Sequence, residues 1–408
     1  MKVAVVGGGA AGMIAAVFSA RNGNETILLE QNEKLGKKLY ITGKGRCNLT
    51  NACGWEEFFQ NIPRNPRFLY SARSFFGPED IISLVEKAGV PTKTERGKRV
   101  FPASDKSSDI IKAISKTLSK EGVSVRLNTR VNEIFVEKNT VCGIRVGQEV
   151  EPVDAVILAT GGLSYPSTGS TGDGFRFAKA LGHTVTPLYG SLVPLETEEL
   201  WCGLLSGLTL KNVTLSAFRG KKQLYSELGE MLFTHFGVSG PLVLSCSALI
   251  AEKPAGVTLF IDFKPGLSEE QLDARIIRDI AANTRKSLSG ALYGLLPQRL
   301  LSVVLEQAHL DSEMSASSFT REQRKALVNT LKALPIHVKS TRPIEEAIIT
   351  RGGIEIKEVN PSTMESKKIK NLYFAGEMLD VDGFTGGFNL QTAWATGALA
   401  GSSIKEHV

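Results

Sequence analysis

Three stretches of the chain share one pattern, a short apolar run that ends in glycine. Residues 2–6 precede Gly7, residues 154–160 precede Gly161, and residues 371–375 precede Gly376. Apolar runs without polar alternation are typical of parallel strands that are buried on both faces. The pattern therefore predicts a buried parallel sheet assembled from distant parts of the chain.

The first run continues into a glycine pattern with a chemical purpose. Gly7, Gly9 and Gly12 follow the strand, residues 13–20 read as a helix, and a second strand at 26–29 ends in Glu30. In such a unit the glycines allow a tight turn and close approach of backbone to a pyrophosphate. The terminal acid is placed for ribose hydroxyls and would repel a 2′-phosphate. The pattern predicts a dinucleotide site that favours NAD or FAD over NADP.

The spacing of apolar and polar residues changes twice along the chain. A long polar loop follows Glu30, helices are predicted at 78–89 and 107–121, and strands at 123–127, 130–136 and 141–146. The segment from 191 to 262 is β-like, and helical spacing of leucines and isoleucines fills 267–331. The sequence therefore predicts an α/β chain with a discontinuous cofactor domain and an insertion that is part β and part helical. The predicted boundaries are 1–188 and 347–408 for the cofactor domain and 189–265, 266–332 and 333–346 for the insertion.

Composition narrows the class of protein. The 408 residues are 42% hydrophobic and 22% charged, with a net charge of +6. No run approaches the roughly 18 apolar residues of a membrane span, and the N-terminal run is too short for a signal peptide. Five scattered cysteines fit a reducing, cytoplasmic compartment, and no His or Cys spacing predicts a metal. The basic residues are dispersed, which disfavours a nucleic-acid surface.

A glycine-rich loop at 41–51 is too polar to be core. Arg46 in this loop can pair with phosphate or carboxylate, and Asn48 can hydrogen-bond a flavin edge. An ordinary surface loop is the alternative. Cys47 and Cys53 are separated by five residues in this polar stretch, so a bystander role for Cys47 is favoured over a redox pair.

Three further segments carry candidate chemistry. Residues 159–162 end a strand at the carboxyl edge of the sheet, where such sheets bind ligands. His235 is set among glycines and hydroxyls and can act as an acid or base, with a structural histidine as the alternative. The helix that starts near Gly387 presents free N–H groups suited to the negative edge of a reduced flavin. Together with the first glycine turn, this predicts bound FAD.

In order along the chain, these segments resemble one family. Segments 5–12, 41–51, 159–162 with 169–174, 232–241, 350–353 and 376–391 are similar to the YhiN-type, or BaiN-like, NAD(P)/FAD-dependent oxidoreductases. The resemblance implies a Rossmann-like FAD-binding domain with a β-barrel-like insertion that carries a helical subdomain. It implies noncovalent FAD, with adenine near the backbone of Val131. Lys44 stands where many members have glycine.

The predicted site follows from the motifs and the resemblance together. The cofactor-binding residues are Gly7, Gly9, Ala10, Ala11, Gly12, Glu30, Gln31, Lys38, Thr42, Gly43, Lys44, Gly45, Arg46, Cys47, Asn48, Val131, Ala159, Thr160, Gly161, Gly162, Gly172, Asp173, Gly376, Glu377, Asp382, Gly386, Gly387, Phe388 and Asn389. The candidate catalytic residues are His235 and Arg46.

The predicted function is hydride transfer between flavin N5 and a small organic substrate. The resemblance implies reduction of a conjugated C=C, as in 3-oxo bile-acid intermediates, with NADH or NADPH as transient reductant. An oxidase of aminoacetone-like amines that uses O₂ is one alternative. An FAD-containing protein that binds or modifies RNA is another.

Overall fold

The structure is a computed structural model that describes residues 1–405. The chain divides into two compact units: unit 1 is Met1–Ser191 with Ile344–Val408, and unit 2 is Leu192–Pro343. Each unit has its own hydrophobic core. The sequence placed the two boundaries after residues 188 and 346.

The strands of unit 1 before the insertion are β1 (Lys2–Val6), β2 (Glu25–Leu29), β3 (Thr50–Asn51), β4 (Thr92–Glu95), β5 (Arg99–Pro102), β6 (Ser124–Arg126), β7 (Val131–Glu137), β8 (Thr140–Val146), β9 (Glu149–Pro152), β10 (Ala155–Leu158) and β11 (Tyr189–Ser191). Unit 2 contains β12 (Leu195–Thr197), β13 (Thr209–Arg219), β14 (Lys222–Thr234), β15 (Gly237–Ser239), β16 (Val257–Asp262) and β17 (Leu334–Thr341). Unit 1 resumes with β18 (Ile349–Arg351) and β19 (Leu372–Phe374).

The helices of unit 1 before the insertion are α1 (Ala10–Arg21), α2 (Lys37–Ile41), α3 (Trp55–Gln60), α4 (Tyr70–Phe75), α5 (Pro78–Lys87), α6 (Ser107–Lys120) and α7 (Asp173–Ala180). Unit 2 contains α8 (Trp201–Leu204), α9 (Pro241–Ile250), α10 (Glu269–Ala281), α11 (Leu288–Ala291), α12 (Gln298–Gln307) and α13 (Arg321–Lys332). Helix α14 (Phe388–Ser403) closes unit 1.

Unit 1 is built on a parallel sheet in the order β19-β10-β1-β2-β6. Val5 in β1 pairs with Leu28 on one side and Ile157 on the other. Both neighbours are apolar because helices cover the two faces of such a sheet. The parallel direction brings Gly7, Glu30 and Gly376 to the same carboxyl edge, as the three apolar runs predicted.

Unit 2 contains a closed antiparallel barrel in the order β12-β15-β14-β13-β16-β17. Strand β13 alternates buried and exposed positions, with Leu215 and Ala217 inside. Strands β12 and β17 pair and close the barrel, which leaves no free edge. The helices α10–α13 share the hydrophobic core of the barrel. The predicted α/β class with an inserted barrel and a helical part is confirmed.

The stretch after Glu30 differs from the prediction of one long polar loop. It holds the short helices α2, α3 and α4, none longer than six residues. Helices of this length have weak periodicity, so tertiary packing decides them. Within residues 1–405, no helix has the length and apolar character needed to cross a membrane.

Candidate cofactor site

The first glycine turn joins β1 to α1 with almost no free space. A Cβ at Gly12 would lie 1.8 Å from the carbonyl oxygen of Gly7, and a Cβ at Gly7 would lie 2.6 Å from the carbonyl oxygen of Ala159. Gly9 differs, because no atom lies within 4 Å of its Cβ position. Ala10 and Ala11 begin α1 directly after it. Gly7 and Gly12 are thus required by the fold, whereas the space beside Gly9 suits a pyrophosphate.

Glu30 is buried and holds this turn in place. Its Oε2 accepts a hydrogen bond from the Gly8 N–H at 2.7 Å, and its Oε1 accepts from the Asn32 N–H at 2.8 Å. The adjacent Gln31 donates to the carbonyl of Gly169 at 2.7 Å. Carboxylate oxygens have further lone pairs, so a ribose contact remains chemically open to Glu30. The ribose role stays a prediction.

Val131, the residue predicted to lie near the adenine, follows a segment that is hydrogen-bonded to Glu30. The Thr129 N–H donates to the carbonyl of Glu30 at 2.9 Å, two residues before the buried Val131 at the start of β7. Gly172 has φ +80° at the N-cap of α7. Asp173 begins α7 and pairs with Arg130 at 2.8 Å. The Asp173 carboxylate is thus engaged by Arg130.

Lys38 and Glu377 form an ion pair at the carboxyl edge of the sheet. Lys38 Nζ lies 2.6 Å from Glu377 Oε2 and also donates to Ser164 Oγ at 2.7 Å. Glu377 Oε1 accepts from Ser164 Oγ and from the Thr350 N–H, both at 2.8 Å. Burial opposes ionisation of Glu377, but the Lys38 charge and these hydrogen bonds outweigh it and lower its pKa. Two predicted cofactor residues are therefore bonded to each other.

The loop after β10 packs tightly into this network. A Cβ at Gly162 would lie 2.2 Å from Thr350 Oγ1, and Gly161 has φ +75°. Thr160 Oγ1 lies 3.3 Å from the sulfur of Met378. Residues 159–162 are thus fixed by close backbone contacts, in agreement with their glycine content.

The loop at 42–48 has a left-handed backbone over most of its length. Gly43, Lys44, Gly45 and Cys47 have φ of +57°, +58°, +83° and +59°. Thr42 Oγ1 donates to the carbonyl of Leu39 at 2.7 Å, which links the loop to α2. A left-handed conformation strains residues with a Cβ, which explains why a glycine at the position of Lys44 is compatible with this loop.

Arg46 and Cys47 are both engaged within the protein. The Arg46 guanidinium pairs with Glu95 and, at 2.6 Å, with Asp105. It also lies 4.2 Å from the centre of the Phe101 ring. Cys47 is fully buried, and burial raises the pKa of its thiol to about 12. A protonated, buried thiol argues against the redox pair, and the predicted catalytic role of Arg46 stays a prediction.

Helices α1 and α14 run parallel to each other. A Cβ at Gly397 would lie 2.3 Å from the carbonyl of Ala11, and one at Gly401 would lie 2.2 Å from that of Ala15. Gly397 is the tenth residue of α14 and Ala11 the second of α1. At 1.5 Å per residue, the N-terminus of α14 therefore lies about 12 Å beyond the N-terminus of α1, on the N-terminal side of that helix.

The first turn of α14 meets the loop at 42–51. Gly386 and Gly387 have φ of +124° and +100°. A Cβ at Gly387 would lie 2.6 Å from the carbonyl of Thr50 and 3.0 Å from Asn48 Oδ1. Asn48 Oδ1 is buried and has no hydrogen-bond partner within residues 1–405. An unpaired acceptor thus lies beside a helix N-terminus.

The other two residues of this turn have structural contacts. Phe388 is buried, and Asn389 exchanges hydrogen bonds with Gly383, each at 2.8 Å. The Asn389 side chain is therefore used to hold the preceding segment, and its backbone N–H is the group available to a ligand.

These features fit FAD. The open space at Gly9 suits a pyrophosphate, and the N-terminus of α14 suits negative charge at the flavin end of the cofactor. A flavin pyrimidine edge alternates acceptors with an N–H donor. The N–H groups at the start of α14 and the unpaired Asn48 Oδ1 are complementary to that edge. These residues would hold the cofactor.

Two predicted residues remain, Asp382 in unit 1 and His235 in unit 2. Asp382 is buried, and Ser191 Oγ donates to its Oδ2 at 2.9 Å. His235 belongs to unit 2, in the turn between β14 and β15, where it is exposed. Its role as acid or base stays a prediction.

Sequence reasoning missed Ser164, Thr350 and Asn32 as partners of predicted residues. Thr350 lies in a segment that the family resemblance had indicated, but Ser164 and Asn32 carry no local signal. Asn32 Nδ2 donates to Glu30 Oε1 at 2.6 Å. The fold brings Ser164 and Thr350 to the carboxyl edge, whereas Asn32 lies there because it follows Glu30 by two residues.

Two curated relatives match almost the whole chain. A 3-dehydro-bile acid delta(4,6)-reductase of Clostridium scindens is 31% identical and covers 99% of this chain and 99% of its own. A ribosomal RNA dihydrouridine synthase of Haemophilus influenzae is 30% identical over 98% of this chain and 97% of its own.

The fold has a solved counterpart. A 3-ketosteroid delta1-dehydrogenase from Sterolibacterium denitrificans superimposes with a TM-score of 0.51, covering 98% of each chain at 14% identity. At this identity the likeness concerns the fold alone. The HI0933-like protein Rossmann domain family matches residues 1–403. The chain therefore belongs to the HI0933-like protein Rossmann domain family, and it is an FAD-dependent oxidoreductase.

Proposed function

We propose that this chain reduces a carbon–carbon double bond conjugated with a carbonyl group, with NADH or NADPH as the reductant. One observation carries the proposal: two reductive relatives with different substrates are about equally similar over nearly the full chain. A 3-oxo-Δ4,6 steroid and a uridine ring both contain such a double bond. Reduction of either adds a hydride to one carbon and a proton to another.

The residues of unit 1 support the cofactor part of this proposal. Bound FAD supplies hydride transfer at flavin N5. The turn at Gly7–Gly9 would bind the pyrophosphate, and the N–H groups at the start of α14 would stabilise negative charge at the ring edge. Lys38 in α2 and Glu377 after β19 bind each other, and they also bind Ser164 and Thr350 at the carboxyl edge. His235 is the candidate donor of the proton.

Within this proposal, uridine in ribosomal RNA is the second candidate substrate, beside a 3-oxo steroid. It is supported by the Haemophilus influenzae relative and by the net charge of +6. Binding to RNA would release counterions and would weaken steeply with salt, whereas binding of a neutral steroid would not.

An anaerobic half-reaction experiment separates the candidates. The FAD-loaded protein is bleached with NADH or NADPH and then mixed with a 3-oxo-Δ4,6 steroid, an unmodified ribosomal RNA fragment or O₂. We expect rapid return of the yellow colour with the steroid or the RNA, and none with the fully saturated 3-oxo steroid. The product should carry two additional hydrogens by mass.

Two results would contradict the proposal. Reoxidation by O₂ alone, with stoichiometric peroxide, would indicate an oxidase of the amine-oxidising kind. A failure of both nicotinamides to bleach the flavin would show that the reductant is a different compound.

A further inference from the structure

Two short strands lie where the chain leaves unit 1 and where it returns. Strand β11 ends at Ser191, the last residue of the first segment of unit 1, and β18 follows the return at Ile344. The strands pair antiparallel, with Tyr189 opposite Arg351. These two strands, β11 and β18, are called the crossover sheet below.

Asp382 contacts both strands of the crossover sheet. Ser191 Oγ donates to Asp382 Oδ2 at 2.9 Å, and Arg351 Nη1 lies 3.7 Å from the same oxygen. The Asp382 side chain is only 1% exposed. Burial raises the pKa of this carboxyl, and the Arg351 charge opposes the rise. One buried carboxylate is therefore shared by the outgoing and the returning strand.

Packing alone does not account for Asp382. Its second oxygen, Oδ1, is buried and makes no hydrogen bond with any residue between 1 and 405. An unpaired buried acceptor is destabilising and is uncommon in folded proteins. The nearby Asp380 differs, since both of its oxygens bind the Arg64 guanidinium. Asp380 thus fixes residues 380–382 to Arg64, whereas the unpaired oxygen of Asp382 lowers the stability of the fold.

The segment that carries Asp382 leads directly to α14. Gly383 follows Asp382, and its N–H donates to Asn389 Oδ1 at 2.8 Å. Asn389 Nδ2 returns a hydrogen bond to the Gly383 carbonyl, also at 2.8 Å. A displacement of Asp382 is therefore passed to the first turn of α14.

We propose that Asp382 is a positioning residue that couples the crossover sheet to the first turn of α14. The inference rests on the proposed FAD site, because that turn holds the N–H groups assigned to the flavin edge. The crossover sheet carries both covalent connections to unit 2. Tension on either connection reaches the Gly387–Asn389 N–H groups through Asp382.

Hydrogen exchange on the full chain tests this coupling. We compare the wild type with Ser191→Ala, which removes only the hydrogen bond from β11 to Asp382, and with Asp382→Asn. Ser340→Ala is the matched control, because Ser340 Oγ donates to the Glu196 carboxylate at 3.0 Å within unit 2. Exchange is followed at residues 189–191 and 386–389, with and without FAD, and the flavin midpoint potential is measured.

We expect Ser191→Ala to speed exchange at 386–389 by about tenfold, since a hydrogen bond to a charged group is lost. The midpoint potential should fall, because the donors to the reduced flavin edge become mobile. Ser340→Ala should change neither quantity. A merely structural role would speed exchange at 189–191 only.

Two results would overturn the coupling. One is unchanged exchange at 386–389 in both Ser191→Ala and Asp382→Asn. The other is equal acceleration by Ser340→Ala, which would indicate general loosening. Failure of the wild type to bind FAD would instead refute the proposed function, and the comparison in FAD-free protein would still test Asp382.

Discussion

Lys38 Nζ lies 2.6 Å from Glu377 Oε2, in an ion pair that joins residues 339 positions apart in the sequence. Ser164 and Thr350 complete the hydrogen bonds of the Glu377 carboxylate. Lys38 and Glu377 were both predicted to contact the cofactor. Because they bind each other, they also hold together the segments that meet at the carboxyl edge of the sheet.

Replacing Lys38 by Met should therefore destabilise the fold. The variant leaves the Glu377 carboxylate without its counter-charge, and breaking a buried pair costs about 3 kcal/mol at the lower end of the usual range. We use the lower end because the two side chains keep 21% and 19% of their surface exposed. Urea unfolding measures the loss. The control is Lys37→Met, which breaks a more exposed pair with Glu33. Equal stability of the two variants would contradict the prediction.

The same pair sets an acid dependence. The pKa of Glu377 is lowered in the fold, whereas an unfolded Glu has a pKa of about 4.3. Its ionised form therefore stabilises the fold above that pH, and this contribution is lost as pH falls through the lower folded pKa. Glu377→Gln should lose less stability than the wild type between neutral pH and about pH 3. Parallel pH profiles of the free energy of unfolding would disprove this.

Two glycines of the first turn should respond differently to alanine. Gly12→Ala places a Cβ 1.8 Å from the Gly7 carbonyl and should destabilise the protein with or without FAD. Gly9→Ala meets open space, so FAD-free stability should stay within about 0.5 kcal/mol. If the pyrophosphate lies there, Gly9→Ala should weaken FAD binding at least about tenfold. Thermal melting and fluorescence titration of FAD measure the two effects.

Glu30→Ala should weaken FAD binding by about 10- to 150-fold, the equivalent of roughly 1.5–3 kcal/mol for hydrogen bonds to a charged group. Because Glu30 also accepts from the Gly8 N–H, the FAD-free protein should lose some stability as well. Glu33→Ala, at an exposed position nearby, serves as the control. An FAD dissociation constant equal to that of the wild type would refute the ribose assignment.

Asn48→Ala distinguishes a ligand contact from a packing contact. Asn48 Oδ1 has no hydrogen-bond partner among residues 1–405, so its removal should leave the FAD-free protein equally stable or up to about 1 kcal/mol more stable. FAD binding should weaken about fivefold to tenfold, the worth of one neutral hydrogen bond. The control is Asn132→Ala, whose Oδ1 already accepts from the Gly147 N–H. Unaltered FAD affinity of Asn48→Ala would place the flavin edge elsewhere.

Gly387 shows why the tertiary structure changes the choice of experiment. A valine there is a natural probe of the helix N-terminus when only the sequence is known. The structure places its Cβ 2.6 Å from the Thr50 carbonyl and gives it φ +100°. Such a variant would disturb the fold whether or not FAD is bound, so Asn48 is the better probe.

The sequence by itself determined the elements that depend on local patterns. The apolar run before Gly7, the spacing of Gly9 and Gly12, and the acid at Glu30 predict a dinucleotide-binding unit, because strand, turn and helix are contiguous there. Long helices such as α6, and the barrel strand β13, follow from periodicity over ten or more residues. The short helices after Glu30 lack that length, and packing decided them.

The tertiary structure decided which distant side chains meet. No local signal pairs Lys38 with Glu377, or Ser191 with Asp382, because each contact closes a loop of more than 150 residues. Arg46 had the chemistry to bind an anion, and the fold gave it Glu95 and Asp105. Charged groups take whichever partners the backbone brings within reach, so partner identity is a property of the whole fold.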